Sequence, residues 1–198
     1  MDKREITEFF DGLASSWDAD MIKEQPKIDA ILDFADVTQG KTVLDVACGT
    51  GVLIPDYLNR KVGRCVGIDI SPKMIEIARK KFSGYENVEF ICGDAENFKT
   101  AEKFDCIVIY NAFPHFVEPR LLFCSLSRLL KEKGRITVAH GMSRDALLKH
   151  HSGRAKSVST ILPEAEETAE LMKPYFDADI KISDEKIYVV SAVKADNN

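Results

Sequence analysis

TVLDVACGTG, residues 42–51, decides the fold that this 198-residue chain is expected to adopt. The stretch opens with an apolar run at 43–46, which has the composition of a strand buried on both faces. The run ends in a glycine turn at 49–51, and an apolar segment at 52–58 is expected to start a helix. This arrangement predicts a site for a nucleotide-type cofactor. Glycine lets the backbone approach a ligand closely, and a helix N-terminus offers free N–H groups.

The acid inside this strand, Asp45, needs a functional reason, because a buried charge is costly without a partner. A dinucleotide site requires glycines spaced G-x-G-x-x-G, and the third position is occupied by Ile54. A phosphate-binding P-loop would end in Gly-Lys-Ser/Thr, which does not follow here. The stretch therefore predicts a cofactor site of another kind.

The remaining pattern, Asp45-x-x-x-Gly49-x-Gly51, resembles the first motif of the class I S-adenosylmethionine-dependent methyltransferases. That motif usually reads D/E-x-G-x-G-x-G, and Ala47 stands here in place of its first glycine. The resemblance implies that Asp45, Ala47, Gly49 and Gly51 help to bind S-adenosylmethionine.

Composition limits the remaining possibilities. The chain is long enough for one domain with a sizeable core, and we expect a single domain over 1–198. A net charge of −5 and a pI of about 5.5 disfavour nucleic acid as a partner. There is no membrane-spanning stretch and no signal-peptide core. The five cysteines lack C-x-x-C spacing and predict reduced thiols in a cytoplasmic protein. The oligomeric state stays open between a monomer and a homodimer.

The N-terminal region carries apolar residues at helical spacing, and it predicts a helix over 4–18 and a second helix over 26–35. The first apolar stripe fits either a helix packed on the core or a lid over the active site. The pattern F-D-x-x-A-x-x-W-D at 10–18 is similar to the entry segment of the ubiquinone and menaquinone biosynthesis methyltransferases. That resemblance implies a helical lid over 1–38 that covers the cofactor, with Trp17 as a cofactor residue.

A second short strand, 64–69, ends in an acid. In a βαβ unit Asp69 would stand beside the glycine turn, where it can accept hydrogen bonds from ribose hydroxyls. It could equally be a strand-end acid that faces water. The following residues complete D-I-S-P-x-M, which looks like the second motif of the same methyltransferases and implies cofactor roles for Ile70 and Met74. Met74 also fits the inner stripe of a helix.

A third strand, 88–92, leads to Gly-Asp-Ala, which in the resembled family contacts adenine through residues that correspond to Asp94 and Ala95. A fourth apolar strand at 104–110 follows. The alternation of helices and strands predicts a parallel doubly wound sheet, in which ligands lie at the C-terminal strand ends. All of these motifs fall at such ends.

The loop after the fourth strand, 111–116, should face the transferable methyl group, and it begins with Asn111, a candidate cofactor residue. Its sequence N-A-F-P differs from the N-P-P-Y and D-P-P-Y of amino-methyltransferases, which disfavours transfer to planar amines. Its histidine, His115, is a candidate base, although a lone histidine is often structural.

The rest of the chain predicts a helix at 118–131 closed by Gly134, a fifth strand at 135–139, and a helix at 163–173. An antiparallel hairpin of 178–183 and 186–193 completes the sheet. Segment 141–175 is expected to form an acceptor-side insertion. Three more histidines fall at the expected C-terminal edge of the sheet and are further candidate bases: His140, His150 and His151. Their spacing fits no standard metal motif, and the last two fit a solvated helix end as well.

Together the sequence predicts an α/β protein with a doubly wound, seven-stranded, mostly parallel sheet of the Rossmann-like methyltransferase fold. The resemblance implies an S-adenosylmethionine-dependent methyltransferase acting on a small-molecule oxygen, sulfur or carbon nucleophile, with a histidine base and no resident metal. Three alternatives remain: a metal-assisted methyltransferase, a non-catalytic cofactor-binding module, and an oxidoreductase, which the missing glycine at position 54 disfavours.

Overall fold

The computed structural model describes residues 2–19, 21–151 and 157–195. Within these ranges the strands, in chain order, are β1 (Thr42–Val46), β2 (Arg64–Asp69), β3 (Val88–Cys92), β4 (Phe104–Tyr110), β5 (Leu130–His140), β6 (Phe176–Ser183) and β7 (Tyr188–Lys194). The helices are α1 (Lys3–Leu13), α2 (Gln25–Phe34), α3 (Ile54–Asn59), α4 (Pro72–Lys81), α5 (Pro119–Ser127), α6 (Arg144–His151) and α7 (Ala165–Met172), with a short 3₁₀ turn at Phe113–His115.

These strands form one seven-stranded sheet in the order β3-β2-β1-β4-β5-β7-β6. The pairs β3-β2, β2-β1, β1-β4 and β4-β5 are parallel, whereas β7 is antiparallel to both of its neighbours. The strand order reverses between β1 and β4, and a ligand site is expected at such a switch point. The predicted doubly wound, mostly parallel sheet is therefore confirmed.

Both faces of the sheet are buried, as the apolar composition of its strands predicts. Successive residues of β1 separate to the two sides: Val43 packs with α2, α3 and α4, and Leu44 packs on the opposite face with α5 and α7. Strand β4 alternates in the same way, with Ile107 on the Leu44 face and Val108 on the Val43 face. This packing fixes the strand ends on which the cavity described below is built.

The first helix is shorter than predicted. Helix α1 ends at Leu13, and residues 14–19 continue as turns whose N–H groups bond to carbonyls three residues back. These turns change the direction of the chain, so that Trp17 lies against the glycine turn instead of extending the apolar stripe of α1.

The predicted helix over 118–131 is also wrong at its end. Helix α5 stops at Ser127, and β5 begins at Leu130 with a register shift opposite 104–106. Gly134 therefore lies in β5 and does not close a helix. A Cβ at this position would meet the Asp105 and Lys131 carbonyl oxygens at 3.1 and 2.9 Å, so the crossing of these chains requires glycine.

The C-terminal hairpin is confirmed: β6 and β7 pair antiparallel through a turn at 184–187, where the Asp184 carboxylate accepts from the Lys186 and Ile187 N–H groups. None of the helices in the described ranges combines the length and the apolarity needed to traverse a bilayer.

Candidate active site

A cavity of about 520 Å³ opens at the C-terminal ends of β1, β2, β3 and β4, at the switch point of the sheet. Its volume is within the roughly 300–1,000 Å³ range of small-molecule sites. The cavity brings together ten of the eleven predicted cofactor residues, which line it: Trp17, Asp45, Ala47, Gly49, Asp69, Ile70, Met74, Asp94, Ala95 and Asn111. Their roles as cofactor contacts stay predictions.

The turn after β1 has the left-handed backbone that a glycine motif provides. Ala47, Gly49 and Gly51 have φ angles of 57°, 57° and 83°. Gly51 does not line the cavity. A Cβ there would lie 2.6 Å from Cε2 of Phe82, so this glycine permits close packing against the end of α4. Its role in the cofactor site stays a prediction.

The Asp45 side chain is buried at the floor of the cavity, with 2% of its surface exposed. Burial raises the pKa of Asp45 to about 8, and the nearby Asp69 carboxylate adds to the shift. The Tyr57 hydroxyl is close enough to oppose this shift, but no donor among the described residues makes a hydrogen bond of normal geometry to Asp45 Oδ2. A buried acceptor of this kind is costly unless a ligand satisfies it.

The Asp69 carboxylate is oriented by two backbone donors. Its Oδ2 accepts from the Gly49 N–H and its Oδ1 from the Ser71 N–H, both at 2.8 Å. Burial raises the pKa of Asp69, and these two bonds oppose the shift. Each carboxylate oxygen retains capacity for a further donor, so Asp69 can accept from a pair of hydroxyls.

The residues that follow Asp69 form an apolar wall. Ile70 and Met74 both line the cavity, and Met74 is also buried in the inner stripe of α4. The position of Met74 in the inner stripe of α4 is therefore confirmed, and its role as a cofactor contact stays a prediction.

The loop after β3 is already engaged by the N-terminal helix. Asp94 Oδ2 accepts from Lys3 Nζ and Asn97 Nδ2, both at 2.7 Å, and its Oδ1 accepts from the Glu96 N–H at 3.0 Å. Burial opposes ionisation here, but the Lys3 and Asn97 bonds prevail and lower the pKa of Asp94. A carboxylate has about four acceptor positions, so one stays available on Oδ1.

Aromatic rings connect the two ends of the cavity. The rings of Trp17 and Phe10 meet edge to face at 5.8 Å, and Phe10 meets His115 in the same way at 5.0 Å. Trp17 Nε1 is buried, has no hydrogen-bond partner among the described residues, and lies 3.5 Å from the position of a Cβ on Gly49. A donor is thus left beside the glycine turn.

The loop after β4 is held by Asn111, which has a φ of 54° and accepts the Gly141 N–H on its Oδ1 at 2.9 Å. This bond ties the end of β4 to the start of the segment that follows β5. Asn111 therefore shapes the mouth of the cavity as well as lining it.

His115 is the one predicted base that the structure brings to the cavity within the described side chains. Its Nδ1 lies 2.8 Å from the Val158 carbonyl oxygen. Because a carbonyl oxygen only accepts, Nδ1 carries the proton in this bond, and the lone pair of the neutral ring is on Nε2. Burial lowers the pKa of His115 and the bond to Val158 opposes the shift. The ring is accordingly a neutral base near pH 7.

None of the other predicted bases is seen in the cavity among the described side chains. His140 is fully buried at the end of β5, edge to face with Tyr188 at 5.9 Å, and it does not line the cavity. Its role as a base therefore has no support from its position, and it stays an untested prediction. His150 and His151 end α6, and their side chains lie outside the described residues.

Some residues that line the cavity were not predicted from the sequence. Lys3 is the clearest case: its partner Asp94 is 91 positions away, and no local pattern signals such a pair. Phe116, Met142 and Leu147 also line the cavity. Met142 and Leu147 belong to segment 141–175, which the sequence predicted to lie on the acceptor side. That prediction was the one sequence feature that could have indicated them as lining residues. No group of three or more potential metal ligands occurs among the described residues.

A doubly wound sheet with a glycine turn after β1, an acid at the end of β2 and a cavity at the switch point defines a protein of the class that binds nucleotide-type cofactors. The buried Asp45 acceptor and Trp17 donor add a specific requirement, since a ligand that satisfies both must offer a donor and an acceptor. The ammonium and carboxylate of an amino-acid portion supply these, and S-adenosylmethionine carries both beside its ribose and adenine.

Comparison with known proteins identifies the family. A family model described as a methyltransferase domain matches residues 37–185, well over half of the chain. The chain therefore belongs to the methyltransferase domain family, and S-adenosylmethionine is its cofactor. The resemblance, the fold and the cofactor predicted from the sequence are thus confirmed, and so is the enzyme class at the level of the family.

Two curated relatives illustrate the similarity. Malonyl-[acyl-carrier protein] O-methyltransferase of Acetivibrio thermocellus is 34% identical over 119 residues, which are 59% of this chain and 42% of that protein. Demethylmenaquinone methyltransferase of Thermotoga maritima is 38% identical over 99 residues, 48% of this chain and 42% of the relative. The chain spans about half the length of the curated relatives it matches.

Among solved structures, a complex of the Haloferax volcanii Trm112 methyltransferase activator with a putative methyltransferase matches with a TM-score of 0.80 at 18% identity. The match covers 97% of this chain and 98% of the other. At this identity the likeness shows the shared fold alone.

Proposed function

We propose that this protein transfers a methyl group from S-adenosylmethionine to an oxygen, sulfur or carbon nucleophile of a small molecule, with His115 as the base. The observation that carries the proposal is the position of His115 in the same cavity as the candidate cofactor residues. The cofactor supplies an electrophilic methyl group, so the residues of the chain need to bind, orient and deprotonate the acceptor.

The cofactor end of the cavity is assigned by polarity. Asp69 would accept the ribose hydroxyls, Asp94 and Ala95 would contact the adenine, and Met74 would pack on its face. Asp45 and Trp17 would meet the amino-acid portion. These assignments suit a cationic cofactor, because four acidic side chains line the cavity: Asp45, Asp69, Asp94 and Glu96. The pKa of Asp45 is about 8, so this carboxyl is mostly protonated near pH 7, and an adjacent ammonium group would favour its ionised form.

The acceptor end is mainly apolar among the described residues, with Phe10, Leu13, Phe116, Val117, Met142 and Leu147 lining it. Both lysines in the described lining, Lys3 and Lys23, are paired with carboxylates. This environment favours an acceptor with an apolar body, and the nucleophile is then the group that needs a base. His115 Nε2 carries the lone pair, and the Val158 carbonyl would stabilise the ring when it takes the proton.

The proposal includes the organisation of the chain. Residues 1–198 form one methyltransferase domain, in which 1–38 act as a lid and 141–175 form the acceptor side. In support, α1 supplies lining residues from one side, and Met142 and Leu147 supply them from the other. The five cysteines, none of them disulfide-bonded, support a reducing, cytoplasmic location.

The test is the formation of S-adenosylhomocysteine across small phenols, quinols, thiols and carbon acids, with wild-type protein and His115→Gln. We expect turnover on one acceptor class, and a loss of about 100- to 10,000-fold in kcat for His115→Gln, the usual contribution of a general base. The S-adenosylhomocysteine Kd should stay within about threefold. Because burial lowers the pKa of His115, the wild-type rate should fall only at a pH more acidic than the usual range of a histidine, as His115 is protonated.

Ser159→Ala is the matched control, because Ser159 Oγ is the more distant partner of the same Nδ1, at 3.2 Å, and its loss should leave kcat within about threefold. Unchanged turnover in His115→Gln would show that His115 is not the base. Cofactor binding without turnover on any acceptor would favour a binding module, and loss of turnover with a chelator would move the assignment to a metal-assisted enzyme.

A further inference from the structure

The N-terminal segment, residues 2–19, makes its first polar contact at the loop after β3. Lys3 Nζ donates to Asp94 Oδ2 at 2.7 Å and forms an ion pair with the buried Glu96. Desolvation of the ammonium opposes its charge, but the bonds to these two carboxylates prevail and raise the pKa of Lys3. Glu96 is in turn fixed by the Glu118 N–H, 2.8 Å from its Oε1.

The second contact is at the loop after β2. Asp11 Oδ1 accepts from Ser71 Oγ at 2.5 Å and from the Lys73 N–H at 3.1 Å. Ser71 is completely buried and caps α4 by accepting the Met74 N–H. The carboxylate of Asp11 therefore binds the start of the helix that carries Met74.

The third contact is at the glycine turn after β1. Asp18 Oδ1 accepts from Thr50 Oγ1 at 2.5 Å, and its Oδ2 accepts from Lys81 Nζ at 2.7 Å. Thr50 is fully buried between Gly49 and Gly51. Burial opposes ionisation, but the bonds to Lys81 and Thr50 lower the pKa of Asp18.

The three contacts follow the geometry of the sheet. Lys3, Asp11 and Asp18 are eight and seven positions apart, and they reach the ends of β3, β2 and β1 in the order in which these strands are adjacent. Apolar side chains between them line the cavity from the same segment: Ile6, Phe10, Leu13 and Trp17. The segment thus covers the cavity with an apolar surface that polar contacts hold at three points.

We propose that Lys3, Asp11 and Asp18 latch the N-terminal segment to the three loops of the cofactor site, and that cofactor exchange requires these latches to open. This inference rests on the proposed function, because it takes the cavity to hold S-adenosylmethionine. The latches set the rates of entry and release and leave the methyl-transfer step to other residues. Lys3 differs from the other two latch residues, because its partner Asp94 is also a candidate adenine contact. Closure of the N-terminal segment and binding of the cofactor therefore involve the same carboxylate.

The latches differ in their response to salt. The Lys3 ammonium and the Asp94 carboxylate are about one-third exposed, at 34% and 27%, so dissolved ions screen their attraction. The Asp11 latch joins a carboxylate to a neutral hydroxyl and an N–H group, and it should respond less. The Asp18 latch includes an ion pair with Lys81 whose side chains are 35% and 47% exposed, so it should respond as well. Release of the cofactor product should therefore become faster with ionic strength, through Lys3 and Asp18 together.

The experiment measures S-adenosylhomocysteine release by stopped flow, with Trp17 fluorescence as the signal, because Trp17 is the single tryptophan of the chain and lines the cavity. Lys3→Met, Asp11→Asn and Asp18→Asn should each increase koff by about tenfold, the order expected for one charge-assisted hydrogen bond. Calorimetry of the same samples gives the Kd independently of the fluorescence.

Two variants separate a latch from a merely structural role. Arg4→Met removes the neighbouring cation on α1, which pairs with Glu8 on the surface, and it should leave koff within about twofold. Lys3→Arg should restore slow release. Between 0.05 and 0.5 M salt the wild-type koff should rise about fivefold, whereas that of Lys3→Met should rise less, because only the Asp18–Lys81 ion pair is then left to be screened.

The latch proposal would be overturned by equal koff values in wild-type protein, Lys3→Met, Asp11→Asn and Asp18→Asn. That result would leave the proposed cofactor site unaffected. A similar acceleration in Arg4→Met would also contradict the latches, since it would show a general loosening of α1. If wild-type protein does not bind S-adenosylhomocysteine in calorimetry, the proposed function fails, and the latch proposal fails with it.

Discussion

Ala47 occupies a backbone conformation that costs an L-residue energy, with a φ of 57° where related motifs have glycine. The left-handed region costs about 1–2 kcal/mol for a residue with a Cβ, and the greater freedom of glycine in the unfolded chain offsets part of the gain. Ala47→Gly should therefore raise the free energy of unfolding by about 0.5–1 kcal/mol, measured by urea denaturation. The same change at Ala30, inside α2, should lower it by about 1 kcal/mol. Destabilisation at both positions would contradict the strain at Ala47.

Asp45 makes stability depend on pH. Its pKa is raised from 3.8 to about 8 in the folded protein, so between these pH values the folded state holds a proton that the unfolded state releases. Rising pH therefore destabilises the wild type across this window, by up to about 1.4 kcal/mol per pH unit from this group. Asp45→Asn lacks the titration, and its stability relative to wild type should increase from pH 5 to pH 8.

Urea denaturation at each pH measures this difference. Asp177→Asn is the control, because Asp177 is an exposed residue of β6, and its curve should run parallel to the wild type. A parallel curve for Asp45→Asn would show that the buried carboxyl does not hold its proton.

At the scale of residues, the sequence predicted most of the candidate cofactor residues that line the cavity, and their roles there stay predictions. Asp45, Gly49 and Asp69 follow strand ends, and a parallel sheet brings such ends together. His140 also follows a strand but is enclosed by β7, and Gly51 turns toward Phe82. These two outcomes depend on side-chain packing between distant parts of the chain, which a motif does not encode.

Among the elements, β5 shows where local patterns fail. Leu129 and Leu130 continue the apolar stripe of α5, but the chain leaves the helix after Ser127 because Leu130 pairs with Phe104 on β4. The pairing of strands far apart in sequence overrides the helical spacing here. The centres of the strands and the C-terminal hairpin were predictable, because their apolar runs do not also fit the spacing of a neighbouring helix.

The crossing at Gly134 offers a test at this scale. A Cβ would press on Leu130 Cγ at 2.7 Å and on two carbonyl oxygens, and such overpacking costs about 1–3 kcal/mol. Gly134→Ala should therefore lower the thermal midpoint by several degrees. The same substitution at Gly84, which has nothing within 4 Å, should change it little. Equal effects would contradict the close crossing of β4 and β5.

For the whole molecule, the described contacts connect the two ends of the cavity to separate parts of the chain. The N-terminal segment closes the cofactor end through pairs separated by 91, 60 and 32 positions, which explains why the sequence did not reveal them. The acceptor end depends on residues after β5 and on the Val158 carbonyl that orients His115. One sheet edge thereby brings together the candidate cofactor residues and the proposed base from loops that do not neighbour one another in sequence.

The placement of the cofactor at the ends of β1, β2 and β3 is tested by the S-adenosylhomocysteine Kd of wild-type protein and Asp69→Asn, determined by calorimetry. We expect wild-type protein to bind and Asp69→Asn to bind at least about tenfold more weakly, because one charged acceptor for the ribose is lost. Asp179→Asn, which removes a surface partner of Arg135 away from the cavity, should bind as the wild type does. Equal affinity in Asp69→Asn and wild type would contradict the placement of the cofactor at the ends of β1, β2 and β3.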